Sequence, residues 1–200
     1  VPRNAIPVEM TSATPAEPTQ REVHLDSPFT DQKPGTSGLR KSSKQFEQPN
    51  YLESFIEAAL RTLPGTDGGT LIVGGDGRYG NVRAIDVILR MASAHGLRKV
   101  IVTTGGILST PAASHLIRSK NAIGGIILSA SHNPGGPDGD FGVKVNGANG
   151  GPTPASYTDA VFECTKTLSH YSIVDATPIS LEGPGQHSIG AMSVEVIDGV

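Results

Sequence analysis

The chain has 200 residues, a formal charge of −3, 36% hydrophobic residues and 4% aromatic residues. This length allows one domain of ordinary size with additional tails, and the small negative charge gives no electrostatic reason to expect a nucleic-acid partner. A single cysteine excludes an intramolecular disulfide and a thiolate metal site built from this chain alone, which favours a reducing, intracellular compartment. The apolar runs are too short to span a bilayer, so we expect no membrane partner.

The start of the chain predicts a flexible tail over residues 1–28. Residues 1–22 contain four prolines and show no apolar periodicity. Three glutamates in this stretch argue against an acid-poor transit peptide, and no apolar segment suits a secretory signal. We therefore expect a cytoplasmic location, with a plastid location as the alternative if a transit peptide was removed.

Alternating strands and helices follow this tail. Apolar residues at helical spacing predict a first helix between Leu52 and Leu63, with Asn50 as its N-cap and Pro64 as its end. Apolar runs and amphipathic spacing then predict strands at 70–73, 99–103 and 124–128 and helices at 82–94 and 110–120. Two successive strand–helix–strand units imply right-handed crossovers. We therefore predict the α/β class, as a three-layer α/β/α domain with a mixed, mostly parallel sheet.

The last part of the chain carries weaker signals. Residues 141–145 alternate and predict an antiparallel strand at an edge of the sheet, residues 155–168 predict a helix, and residues 192–197 predict one more strand. We divide the chain into a tail (1–28), an α/β domain (29–190) and the beginning of a second domain (191–200).

The most informative segment is GGIILSASHNPGG at 124–136, in which a buried strand leads into Ser131 on a glycine-rich turn. In open α/β sheets, ligands bind beyond the carboxyl ends of the strands, and Ser131 is expected there. Its hydroxyl, the imidazole of His132 and several free backbone N–H groups would meet at one place. An ordinary Asn-Pro turn remains the alternative, because these residues are common turn formers.

Two further glycine-rich segments bear on the site. GGDGRYG at 74–80 matches the dinucleotide pattern, but the acidic residue expected about twenty positions later is missing. A tight turn with an ion pair between Asp76 and Arg78 is therefore favoured over cofactor binding. In KPGTSGLRK at 33–41, the backbone N–H groups can face an anion and Arg40 offers a planar fork for phosphate oxygens. A solvated surface loop is the alternative for this segment.

Read in order, these segments resemble one family. KPGTSGLRK, GGDGRY, GILSTPA, GGIILSASHNPGG and GVKVNGANGGP closely resemble the phosphoglucomutases of the α-D-phosphohexomutase superfamily, from about Asp31 to the end of the chain. The resemblance implies reversible interconversion of glucose 1-phosphate and glucose 6-phosphate through a phosphoserine and glucose 1,6-bisphosphate. A related mutase for mannose or N-acetylglucosamine phosphate, and a non-catalytic scaffold that is phosphorylated, are the alternatives.

The resemblance also implies roles for individual residues. Ser131 is the serine that is phosphorylated, His132 and Lys144 are catalytic neighbours, and Arg40, Thr36 and Ser37 bind phosphate. Lys144 on its own, placed on an edge strand, would do no more than discourage edge pairing.

The same family uses Mg²⁺ held by the phosphate of Ser131 and by three aspartates of a loop that this chain lacks. The expected partners are hexose phosphates, and the expected parent enzyme is a monomer. The chain corresponds to the first of four domains and a few residues of the second, so we expect it to be unable to isomerise a sugar phosphate alone.

Overall fold

The computed structural model describes residues 18–199, which form fourteen helices and strands. In chain order these are β1 (Thr19–His24), β2 (Leu39–Ser42), α1 (Ser43–Phe46), α2 (Tyr51–Thr62), β3 (Thr70–Gly75), α3 (Asn81–Ala94), β4 (Lys99–Ile107), α4 (Thr110–Ser119), β5 (Gly124–Leu128), β6 (Asp140–Gly147), α5 (Ala155–Thr167), β7 (His170–Asp175), β8 (Gly185–Ile189) and β9 (Met192–Ile197). The predicted helices and inner strands are all present, and β4 extends four residues further than its apolar run indicated.

Seven strands form one mixed sheet in the order β2-β6-β5-β3-β4-β9-β8. The neighbours β5, β3, β4 and β9 are parallel, whereas β6 runs antiparallel between β5 and β2, and β8 runs antiparallel to β9. Among the described residues, five of the seven strands of this sheet therefore point in one direction. The predicted α/β class with a mixed, mostly parallel sheet is confirmed.

Both faces of the central strands are buried, as their uninterrupted apolar runs predict. In β3, Leu71 and Val73 face a large apolar cluster with α2 and α3, while Ile72 faces a smaller cluster with α4. Burying each such side chain contributes about 1.5–3 kcal/mol. The alternation along the strand thus produces three layers with α4 on its own side. None of the helices in this part of the chain is both long and apolar enough to cross a membrane.

The edge of the sheet differs from the prediction. Lys144 was expected on an edge strand, but β6 pairs with β5 on one side and with β2 on the other, and β2 is the edge. With only four residues, β2 is too short for an alternating pattern to reveal it. The expectation that Lys144 lies at an edge is therefore wrong.

Both ends of the α/β domain extend further than expected. Within the expected tail 1–28, β1 pairs antiparallel with β7, and Arg21 forms an exposed ion pair with Asp175 at 2.9 Å. Within the segment 191–200, β9 pairs with β4 in the main sheet. Hydrogen bonds to strands distant in the sequence hold both segments, and such bonds leave no local pattern. Residues 1–17 of the expected tail lie outside the described residues.

A buried carboxylate joins α2, α3 and β7. The side chain of Glu57 is 2% exposed and accepts hydrogen bonds from Arg61 Nε at 2.7 Å and from the backbone N–H of Ser172 at 3.2 Å. His95 Nε2 lies 2.9 Å from Glu57 Oε2, the same oxygen that accepts from Ser172. Burial by itself would raise the pKa of Glu57, but the hydrogen bonds from these partners outweigh it and hold the pKa below its ordinary value.

We expect Glu57→Gln to lower the free energy of unfolding by about 2 kcal/mol at neutral pH. The pKa of Glu57 is lower in the folded state, so its contribution is complete above the ordinary carboxyl pKa near 4.5 and is lost as the pH falls through the folded value. Urea unfolding from pH 7 to pH 3 measures this change. The exposed Glu182→Gln is the control, and a difference between wild type and Glu57→Gln that does not shrink at low pH would contradict the argument.

Candidate functional site

Ser131 lies just beyond the carboxyl end of β5, as the sequence predicts. Ser131 is exposed, whereas the preceding Ala130 is buried. The backbone of Ser131 is left-handed, with φ +54°. Among the described residues other than glycine, only Asn50 and Asn121 share this conformation. For serine this costs about 1–2 kcal/mol, and such strain is concentrated at functional sites. The strain therefore marks the segment 129–140, here termed the serine loop, as the candidate site.

Arg40 reaches the serine loop from the edge strand β2. Its Nη2 donates a hydrogen bond to Ser131 Oγ at 2.7 Å, across 91 positions of sequence. Its Nε is buried without a partner, and no carboxylate in residues 18–199 forms an ion pair with this guanidinium. An uncompensated cation beside a serine hydroxyl is suited to bind an anion at that position.

The ion pair expected in the GGDGRYG segment is present and supports the serine loop. Arg78 Nε and Nη2 donate to the carboxylate of Asp76 at 2.9 and 2.8 Å. The Arg78 side chain is 7% exposed and also donates to the carbonyl oxygens of Ser131 at 3.1 Å and of Asp140 at 2.7 Å. One guanidinium therefore joins the turn after β3 to both ends of the serine loop.

Ser129 completes this arrangement. Its hydroxyl donates to Asp76 Oδ2 at 2.8 Å and accepts a hydrogen bond from the backbone N–H of Ser131 at 3.0 Å. Burial acts to raise the pKa of Asp76, but the hydrogen bonds from Arg78 and Ser129 outweigh it and keep that pKa below its ordinary value. Ser129 is not among the site residues that the sequence predicts. Its position two residues before Ser131, at the end of a strand, was the available signal.

Hydrogen bonds also hold the second part of the serine loop, residues 133–140, in place. Asn133 Nδ2 donates to Asp140 Oδ2 at 2.7 Å, and the backbone N–H of Asp140 donates to the carbonyl of Pro134 at 2.8 Å. The hydroxyl of Ser43, at the start of α1, donates to the carbonyl of Gly136 at 2.8 Å. The loop therefore leaves β5 and returns to β6 with defined contacts along its length.

Within residues 18–199, four other predicted site residues form no hydrogen bond with Ser131. Thr36 and Ser37 are exposed at the tip of a hairpin closed by two backbone hydrogen bonds between Gly35 and Gly38. His132 is exposed, and no hydrogen bond in residues 18–199 engages its ring or the side chains of the other three.

Lys144, the fourth of these residues, shares a sheet face with Arg40. In the β2–β6 register, Leu39 pairs with Val143 and Arg40 pairs with Gly142. Leu39 and Val143 belong to the large core cluster, and successive residues of a strand face opposite sides. Arg40 and Lys144 therefore lie on the opposite face, the α4 face of the sheet.

A groove of about 350 Å³ adjoins the turn after β3. Tyr79, Val82 and Ile107 line it and are 46%, 62% and 52% exposed. Arg78 and Arg83 also line the groove, but each already pairs with a carboxylate, Asp76 and Glu53 respectively, so neither is a free donor for a doubly charged phosphate. The serine loop, rather than this groove, is the candidate for anion chemistry.

The fold and the site define the class of the protein as an α/β/α domain that presents a serine and an arginine together at the carboxyl edge of its sheet. Comparison with known proteins gives the family. The family described as phosphoglucomutase/phosphomannomutase, alpha/beta/alpha domain I, matches residues 31–172, so the chain belongs to this family. The predicted family is thereby confirmed.

Individual relatives agree with this assignment. The chain is 52% identical over 174 residues to the phosphoglucomutase of Schizosaccharomyces pombe, covering 86% of this chain and 31% of that protein. It is 52% identical over 174 residues to the phosphoglucomutase of Rhizobium radiobacter, covering 87% of this chain and 32% of that protein. These matches show that the chain spans about a third of the length of its curated relatives.

A solved structure shares the fold. The open form of the exocytosis-sensitive phosphoprotein pp63/parafusin, a phosphoglucomutase from Paramecium, matches with a TM-score of 0.84 and 41% identity. The match covers 90% of this chain and 34% of that one. It therefore supports the whole described architecture and not only the motifs around the serine loop.

We expect Gly38→Ala to lower the free energy of unfolding by about 2 kcal/mol or more. Alanine is strained at φ +85°, and its Cβ would lie 2.2 Å from the carbonyl oxygen of Val143 on β6. Gly35→Ala is the matched control in the same hairpin, because an added Cβ meets no atom within 4 Å there. Chemical denaturation compares the two variants, and equal stabilities would contradict this account of the hairpin.

Proposed function

We propose that the protein containing this chain is a phosphoglucomutase that interconverts glucose 1-phosphate and glucose 6-phosphate, with Ser131 carrying the transferred phosphoryl group. The observation that carries this proposal is the 2.7 Å hydrogen bond from Arg40 to the hydroxyl of a strained, exposed serine. The identity of about 50% to phosphoglucomutases supports the choice of reaction. Hexose phosphates are its partners.

The proposed reaction has two half-steps. Phosphorylated Ser131 transfers its phosphoryl group to the C6 hydroxyl of glucose 1-phosphate, so the bond from phosphorus to Ser131 Oγ breaks and a bond to O6 forms. The C6 hydroxyl proton is released, and the serine recovers a proton. After the glucose 1,6-bisphosphate reorients, its C1 phosphoryl group moves to Ser131 Oγ, the serine proton is released, and O1 takes up a proton. The product is glucose 6-phosphate.

Phosphoryl transfer depends mainly on positioning and charge stabilisation. Arg40 offers charge-assisted hydrogen bonds to the phosphoryl oxygens. The exposed imidazole of His132 and the ammonium of Lys144 supply proton transfer and further positive charge. The hairpin with Thr36 and Ser37 adds hydroxyl and N–H donors beside Lys144.

A Mg²⁺ ion fits this site only in part. In residues 18–199, no group of three or more acidic, histidine or cysteine side chains is arranged to hold a metal ion. A phosphate on Ser131 would supply oxygen ligands of the kind that Mg²⁺ prefers, but the described residues do not complete its coordination. We place the remaining ligands in the longer protein.

We expect this protein in the cytoplasm, with a plastid location as the alternative.

The proposal is tested by intact mass spectrometry of the dephosphorylated full-length protein after incubation with glucose 1,6-bisphosphate. We expect a gain of about 80 Da, corresponding to one phosphoryl group, that maps to Ser131. Ser131→Ala should abolish the gain while its melting temperature stays nearly unchanged, because an exposed hydroxyl contributes little to packing. A label on any other residue would refute the proposal.

The sugar is assigned by turnover. The matching family also covers phosphomannomutases, so we compare glucose 1-phosphate with mannose 1-phosphate as substrates of the same full-length protein. A higher kcat/KM for mannose 1-phosphate would select the related mutase. Phosphorylation without turnover of either sugar would select the scaffold alternative.

We expect Arg40→Lys to weaken binding of glucose 1,6-bisphosphate by about tenfold, because lysine keeps the charge but loses the two-pronged donor geometry. Titration calorimetry of the dephosphorylated full-length protein measures the affinity. Arg21→Lys, in the exposed ion pair between β1 and β7, is the matched control. Equal affinities for wild type and Arg40→Lys would show that Arg40 does not bind the bisphosphate.

A further inference from the structure

We propose that Ser129 is a positioning residue for phosphoryl transfer: its hydroxyl links the Asp76–Arg78 ion pair to the backbone of Ser131 and fixes the nucleophile. This inference rests on the proposed role of Ser131 as phosphoryl carrier. Ser129 itself does not touch the transferring group in this arrangement, because it acts through the amide of Ser131 and not through the Ser131 hydroxyl.

The hydrogen bonds of Ser129 have a fixed direction. An ionised carboxylate can only accept and a backbone amide can only donate. The Ser129 hydroxyl therefore gives its single proton to Asp76 Oδ2 at 2.8 Å and uses a lone pair for the N–H of Ser131 at 3.0 Å. With its proton and one lone pair committed, Ser129 is a poor second acceptor for a phosphoryl group.

Both peptide groups that flank Ser131 are held by the same ion pair. Ser129, bound to Asp76, accepts from the N–H of Ser131, and Arg78 donates to the carbonyl oxygen of Ser131 at 3.1 Å. Fixing these two groups fixes the rotations about the Cα atom between them. The left-handed conformation, which serine avoids at a cost of about 1–2 kcal/mol, is thereby maintained.

Ser129 is itself anchored in the sheet. Its backbone N–H donates to the carbonyl of Gly142 on β6 at 2.9 Å, and the N–H of Asp76 donates to the carbonyl of Leu128 at 3.0 Å. A Cβ at Gly142 would lie 2.2 Å from the carbonyl oxygen of Ser129, so β6 packs directly against this residue. Because Ser129 is fixed by the sheet and binds the Ser131 amide, it holds the exposed nucleophile at a fixed position relative to the sheet.

The test compares Ser129→Ala with Ser129→Thr, which keeps the hydroxyl, in the full-length protein. Starting from dephosphorylated protein, we expect Ser129→Ala to slow phosphoryl transfer from glucose 1,6-bisphosphate to Ser131 by about 10- to 100-fold. The half-saturating bisphosphate concentration and the melting temperature should change little, and Ser129→Thr should restore most of the rate. Ser93→Ala, which removes a hydroxyl bound to the carbonyl of Ile189 near the end of α3, is the control.

Amide hydrogen exchange gives a readout that does not need activity. Loss of the Ser129 acceptor should accelerate exchange of the Ser131 amide by about tenfold or more in Ser129→Ala, and Ser129→Thr should reverse this change. Wild-type transfer rates in Ser129→Ala, unchanged exchange, or Ser129→Thr as slow as Ser129→Ala would each overturn the inference. Failure of wild type to accept a phosphoryl group would refute the proposed function instead, while exchange would still report whether Ser129 holds Ser131.

Discussion

The guanidinium of Arg78 is nearly buried, and it joins the turn after β3 to both ends of the serine loop, 53 and 62 positions later in the sequence. Removing such a group from water is costly, and one carboxylate rarely compensates for it. Here Asp76 supplies the counter-charge, and the carbonyl oxygens of Ser131 and Asp140 accept hydrogen bonds from Nη2 and Nη1. The ion pair therefore contributes less as a source of stability than as a fixed frame on which the serine loop is built.

The antiparallel strand β6 brings the arginine of the site to its serine. Neighbouring strands lie about 4.8 Å apart, so β2 is about 10 Å from β5 in the plane of the sheet. Because Arg40 on β2 still bonds to Ser131 after β5, the serine loop must bend back over the end of β6. The bonds of Ser43 to Gly136 and of Asp140 to Pro134 hold the loop in that bend.

Local signals in the sequence were sufficient for much of this arrangement. The apolar run of β5 placed Ser131 at the end of a strand, and the spacing of Asp76 and Arg78 in one turn predicted their ion pair. The short β2, and with it the interior place of Lys144, depended on pairing between residues about 100 positions apart. Ser129 was missed for the same reason, because its role arises from a contact with Asp76, 53 positions earlier. Non-local hydrogen bonds leave no periodic pattern.

Arg78 and Arg40 have different electrostatic roles in the site. Asp76 lies close enough to bond Ser129, so its negative charge would repel a phosphate on Ser131 if nothing neutralised it. Arg78 neutralises that charge and is shielded from solvent while doing so. Arg40, in contrast, has no carboxylate partner in residues 18–199 and keeps a buried Nε without an acceptor. A guanidinium left in this state favours an anion beside it, and under the proposed function a phosphoryl group on Ser131 Oγ, to which Arg40 already donates, would supply one.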